Sequence, residues 1–154
     1  YVNNMKVKSF SSLVRSKNIK IENTEIHGIT KKECNDKGMK LSEIFSHLID
    51  DLDDCNTIVA HNIKFDFNII LSEIYRDIYN TNDTINEQCM KQLGGKLKKM
   101  VQVCTMAMGK NYMQSTKFPK LTDLHEYLFN EKFTQKHRAL SDTEYCAKCY
   151  YKML

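Results

Sequence analysis

From Tyr1 to Ile21 the chain contains no aspartate or glutamate. That stretch therefore cannot supply an N-terminal pair of carboxylates for holding a metal. No apolar run approaches the roughly 20 residues that a membrane-spanning helix needs, and no signal-peptide pattern is present. Proline occurs once, at position 119, and there is no internal repeat or low-complexity tract. Cys146 and Cys149 form the one Cys-x-x-Cys. Without a second such pair they do not make a four-ligand zinc site. The other cysteines (34, 55, 89 and 104) are irregularly spaced. All read as reduced thiols of an intracellular protein, several of them in the core.

What is present fits one domain. A chain of 154 residues can bury a core unaided, and 42% hydrophobic with 27% charged residues is ordinary for a globular protein. The net charge of +4 permits a polyanionic partner without demanding one. Abundant Asn, Lys and Ile point to an AT-biased genome, such as that of a large DNA virus or a protist.

Met5 to Val14 alternates and reads as a strand, with 18–21 a turn or second short strand. Thr30-Lys31-Lys32-Glu33 has the form of a capping box at a helix start. Leu41, Ile44, Phe45, Leu48, Ile49 and Leu52 are spaced by threes and fours, predicting an amphipathic helix. Thr57 to Ala60 is short and β-branched, as expected of a strand buried on both faces. Ile69, Ile70, Ile74 and Ile78 give the next helix its stripe. The stretch 80–100 is polar, with Gly94-Gly95 and lysines at 91, 96, 98 and 99, and reads as a solvated excursion. Val101 to Cys104 is a strand or the beginning of a helix. Leu121 to Phe129 is a short helix, and a last one runs from Ala139, with Leu140, Thr143, Cys146, Ala147 and Tyr150 at core-like spacing. Alternating strands and helices imply an α/β domain with a parallel or mixed sheet.

Two segments concentrate the chemistry: His61-Asn62-Ile63-Lys64-Phe65-Asp66 and His137-Arg138-Ala139-Leu140-Ser141-Asp142. Each places a carboxylate five residues after a histidine and close to a helix start. Residues just beyond the carboxyl ends of parallel strands share a crevice, so Asp66 is expected there, and Asp142 can reach it from the last helix. Two carboxylates facing each other repel unless a cation sits between them, and oxygen ligands favour Mg²⁺ or Mn²⁺. His137, with an ordinary pKa near operating pH, is a candidate general base. Taken singly, an Asp at a helix start is more often a dipole partner, and a lone His a hydrogen-bonded surface group.

The pattern His61-Asn62-x-x-Phe65-Asp66 resembles the second motif of the DEDDh 3′–5′ exonucleases, the DnaQ-like branch of the ribonuclease H-like superfamily. His137-x-Ala139-x-x-Asp142 resembles their third. Ile26-His27-Gly28-Ile29-Thr30 and Lys120-Leu121-x-x-Leu124 resemble intervening segments, so the similarity runs over nearly the whole chain in order. The resemblance implies a ribonuclease H-like mixed sheet flanked by helices and hydrolysis of phosphodiester bonds with two Mg²⁺ or Mn²⁺ ions. Asp66 and Asp142 would be metal ligands and His137 the general base. Glu22 and His27 would touch the terminal nucleotide, and Asn62 and Phe65 would help shape the substrate pocket. The implied partner is the 3′ end of a nucleic acid, DNA or RNA. No membrane is implied, and a polymerase or other protein partner is left open.

The family's first motif, Asp-x-Glu on the central strand, has no counterpart here. The expectation is a single exonuclease-like domain over 1–154, N-terminally incomplete by about 20–40 residues of strand and loop, and inactive by itself. The alternatives are a catalytically inactive module of the same fold that binds nucleic acid or protein, or a small interaction domain whose His/Asp spacings are accidental.

Overall fold

The computed structural model of the chain describes residues 1–15, 20–80, 84–134 and 138–154, with the side chains of 77–80 and 84–86 outside the description. In chain order the elements are α1 (Thr24–His27), α2 (Lys31–Lys37), α3 (Leu41–Leu52), β1 (Thr57–Ala60) and α4 (Ile63–Asn80). They continue with α5 (Thr84–Lys99), β2 (Val101–Cys104), α6 (Thr105–Tyr112), α7 (Leu121–Phe129) and α8 (Ala139–Lys152). The strands β1 and β2 pair in parallel, from Thr57 opposite Val101 to Ala60 opposite Cys104. Both strands thus end on the same edge, where His61 follows one and Thr105 the other.

Local chemistry explains where the helices begin. Thr30 Oγ1 accepts the Glu33 N–H at 3.1 Å at the start of α2. At α3 the Lys40 N–H donates to Glu43 Oε2 at 3.0 Å. The spacing-based helix over 41–52 forms with those bounds, burying Phe45 and Leu52. Around them gather Ile74 from α4 and Met90, Leu93 and Leu97 from α5. A second cluster joins Leu121 and Leu124 of α7 to Cys146 and Cys149 of α8.

Several expectations are corrected. The stretch 80–100 is no excursion: α5 carries Met90, Leu93 and Leu97 into the core. Its apolar residues recur on one helical face, and their burial outweighs the cost of Gly94 and Gly95, about 1 kcal/mol each relative to Ala. Its lysines pair across the surface, Lys91 with Glu87 and Lys96 with Asp53. Met5 to Val14 does not form a strand. Its bridges, Val2 with Met5 and Val14 with Met39, are isolated, because no described strand runs along it to continue a ladder. Of the segment 18–21, residues 18 and 19 lie outside the described residues, and the remainder has no regular structure. The strand Thr57–Ala60 is only half-buried, as expected when it is paired along one edge. In α4, Ile74 is buried while Ile69 is exposed, and the Ile78 side chain lies outside the described residues. In α8 the deepest residue is Cys149, and Leu140 faces solvent. The cysteines are all free, with 34, 146 and 149 buried. Among the described residues no helix is long and apolar enough to cross a membrane.

Candidate active site

The edge where both strands end opens into a cavity of about 290 Å³. The end of β1 contributes Val59, Ala60 and His61, while Leu121 comes from α7. Two carboxylates line it, Asp66 from the first turn of α4 and Asp142 from the first turn of α8. Thus two acids far apart in the chain share one solvent-open space. Burial against the cavity wall pushes the Asp66 carboxyl above its ordinary value, partly offset by its own backbone N–H. The residue nonetheless remains largely exposed, so the shift reflects partial rather than full desolvation.

His61 is a fixed part of this wall. Burial lowers its pKa, and the Pro119 carbonyl opposes that only partly. The neutral ring donates from Nε2 to the Pro119 carbonyl at 3.1 Å, which leaves Nδ1 to accept from the Thr105 hydroxyl at 3.1 Å. Thr105, fully buried, also lies 3.4 Å from Cys146 Sγ on α8. This relay ties the ends of β1 and β2 to α8 and to the loop before α7, and so fixes the two helices that bear Asp66 and Asp142. His61 stands within the quoted motif without a role, Cys146 is read in the sequence only as a core residue, and Thr105 is not singled out. The usable signal was position: both His61 and Thr105 directly follow a strand.

The other candidates are placed differently. Asn62 is exposed, and its φ of 74° makes the left-handed turn from β1 into α4, a conformation Asn tolerates. Phe65 is exposed beside Asp66 but does not line the cavity. His27 closes its own turn: Nε2 donates to the Glu22 carbonyl at 2.8 Å and Nδ1 accepts the Ile29 N–H at 2.9 Å. Neither His27 nor Glu22 lines the cavity, and the Glu22 carboxylate pairs with Lys20 at 3.4 Å. Their loop nevertheless reaches the start of α8, where Arg138 Nη2 donates to the Gly28 carbonyl at 3.4 Å. His137 lies outside the described residues. Among the described residues no group of three or more His, Cys, Asp or Glu is gathered to hold a metal ion.

The environments of Cys104 and Cys149 shift their thiols in opposite directions. Burial raises Cys104, but the backbone N–H groups of Ala107, Ile63, Asn62 and Met106 face its sulfur from the starts of α6 and α4 and bring it below the ordinary value. Burial pushes the Cys149 thiol up to about 12. Iodoacetamide at pH 7.5, followed by peptide mass spectrometry, is expected to label Cys104 well before Cys149. Equal labelling of the two in the folded chain would contradict this placement.

No curated protein and no solved structure matches the chain. A family model does, that of the RNase T exonucleases, described as Exonuclease, over residues 2–150. Its span includes both strands, both acidic motifs and every wall of the cavity. With helices packed around a parallel strand pair and two acids converging at the strand ends, this chain belongs to the RNase T exonuclease family, DnaQ-like proteins of the ribonuclease H-like superfamily.

Proposed function

We propose that the chain is the exonuclease domain of a metal-dependent 3′–5′ exonuclease, releasing nucleotides from the 3′ end of DNA or RNA. The observation that carries this reading is the shared cavity of Asp66 and Asp142. Its donor chemistry suits a hard cation: both ligands are carboxylate oxygens, and the Asp66 charge, penalised by burial, gains from a cation beside it. Asp66 and Asp142 would hold Mg²⁺ or Mn²⁺. When bound, such ions generate a nucleophilic hydroxide and stabilise charge on the attacking and leaving oxygens.

The protein's own groups do the remainder. His137, five residues before Asp142, takes the proton of the attacking water. Phe65 offers an exposed ring face to the terminal base, and Asn62 sets the turn that presents it. His27 and Glu22 approach the same nucleotide from the loop held to α8 by Arg138. His61 stays neutral and orients the wall, taking no proton.

Two carboxylates are half of what a two-ion site needs. We therefore include in the proposal the domain reading over 1–154, with an Asp-x-Glu strand supplied upstream. What favours it is an apolar groove between the N-terminal segment, α3 and α4, lined by Phe10, Val14, Phe45, Leu48, Ile69 and Ile70. The second reading, a catalytically inactive module that binds nucleic acid or protein, draws on the finding that among the described residues no group of three potential ligands is gathered. An Asp-x-Glu encoded shortly before Tyr1 separates the two.

The 154-residue chain alone is expected to release no mononucleotides from a labelled single strand with Mn²⁺, yet to be stabilised by Mn²⁺ at pH 7. Asp66 has a folded-state pKa above its ordinary 3.8, so its charge costs stability above that raised value. As pH falls through the window down to 3.8 the cost disappears. Protonation competes with the cation, so the Mn²⁺-induced rise in melting temperature shrinks across the same window and is lost in Asp66→Asn. Robust digestion by the chain alone would show the catalytic acids to be misassigned. A melting response to Mn²⁺ unchanged in Asp66→Asn would remove Asp66 as a ligand.

A further inference from the structure

We propose that Phe118 and Lys110, flanked by Lys117 and Lys120, form a binding lip for single-stranded nucleic acid, stacking an unpaired base upstream of the 3′ end. The inference rests on the exonuclease reading and extends it to how the strand is held. Phe118 is 58% exposed. Lys110 Nζ lies 4.8 Å from the centroid of its ring, so a cation already stands over the aromatic group.

The lip is rigidly mounted and continuous with the cavity. Pro119, next to Phe118, is buried, and its carbonyl accepts the His61 Nε2–H at 3.1 Å. The Lys117 N–H donates to Ser115 Oγ at 3.1 Å, closing the preceding turn. Below the loop Gly109 brings α6 so close that a Cβ there would lie 2.7 Å from Leu124 Cδ1 and 3.2 Å from Pro119 Cγ. Leu121 lines the cavity, and three residues of chain span at most about 10 Å, so Phe118 stands a short step from it. An exposed ring on a fixed loop loses little entropy when a base stacks on it.

Charge points to a polyanion. Lys110 stands over the ring, and Lys117 and Lys120 flank Phe118 along the chain. Of the nearby acids, Asp123 accepts the Lys120 N–H at 3.4 Å, and Glu126 pairs with Lys132 at 3.6 Å. Stacking needs a free base face, which a duplex hides, so the occupant is a single strand. Of the other exposed rings, Phe65 is assigned above to the terminal base. Tyr112 and Tyr127 meet edge to face at 6.5 Å. Tyr75 lies under Lys98, on α4 and α5, and has no part in the cavity wall.

The test is fluorescence anisotropy of the whole chain with labelled 12-nucleotide oligo-dT and oligo-U, in EDTA so that nothing is cut. Phe118→Ala is expected to weaken binding about 10-fold, in line with the loss of one stacked base. Phe118→Tyr keeps the ring face and binds like the parent. The triple variant Lys110→Ala, Lys117→Ala, Lys120→Ala is expected to reduce the salt slope of log K by about 2. Tyr75→Ala serves as a control and leaves binding unchanged. If the parent binds and Phe118→Ala binds within about twofold of it, the lip falls and the exonuclease reading stands. Equal losses in Phe118→Tyr and Phe118→Ala, or in Tyr75→Ala and Phe118→Ala, also overturn it. Binding of neither strand by the parent would sink the lip together with the nucleic-acid reading, and would assign the exposed ring to a protein partner.

Discussion

Asp142→Asn, made in a chain extended by the family's Asp-x-Glu strand, lowers nucleotide release by at least about 100-fold and leaves the fold intact. Asn and Asp are nearly the same size, so the first turn of α8 repacks nothing. The helix loses a favourable charge at its N-terminus, worth roughly 0.3–1 kcal/mol. That loss is small against a domain stability on the order of 5–15 kcal/mol. On the proposed reading, what disappears is one anionic oxygen donor to the cation on which the chemistry would depend. His137→Ala in the same chain is expected to cost a comparable factor, within the roughly 10²–10⁴ of general base catalysis. Steady-state release from a labelled 3′ end, measured with the melting temperature, separates the two contributions. Near-normal turnover in either variant would contradict its assigned role.

Leu93→Ala destabilises the chain by about 3 kcal/mol, in the range of 2–5 found for buried leucines. Leu93 is 0% exposed and packs among Phe45, Leu52, Ile74, Met90 and Leu97, in the cluster that joins α3, α4 and α5. Removing its isobutyl group forfeits transfer free energy and leaves a cavity that three helices cannot readily close. Against a total stability on the order of 5–15 kcal/mol the loss is large, and urea midpoints report it directly. Gly95→Ala in the same helix has the opposite sign. A Cβ there meets nothing within 4 Å, so helix propensity gives about 0.5–1 kcal/mol of added stability. A cost below about 0.5 kcal/mol for Leu93→Ala would mean that α5 does not pack into the core.

The contrast between α3 and α5 shows why part of the fold was legible. In α3 apolar residues fill one face without interruption, and Glu43 returns its carboxylate to the Lys40 N–H, so pattern and cap agree. In α5 the apolar face is equally real, but lysines and a glycine pair dilute it. Only the buried surface offered by Ile74 and Phe45 decides for a helix. The segment 5–14 errs in the other direction. Its alternation favours extended backbone, but a strand also requires a neighbour to bond.

The site divides the same way. That Asp66 and Asp142 line one cavity was foreseeable because each sits in the first turn of a helix, five residues after a histidine. The role of His61 was not, because a ring that donates to Pro119 and accepts from Thr105 is defined by residues 58 and 44 positions away. His27 carries the same side chain, yet it spends both ring nitrogens on its own turn, between Glu22 and Ile29.

By itself the amino-acid order settled which residues carry charge, which faces are apolar, and that the two acidic motifs belong to one exonuclease pattern. These are local properties, encoded within a few turns of chain. Convergence was decided only in three dimensions: parallel pairing of β1 with β2 brings both strand ends to one edge, and packing of α8 there puts Asp142 in the same cavity wall as Asp66. Periodicity shows which way a side chain faces from its own helix. What stands opposite it depends on contacts between residues far apart in the chain.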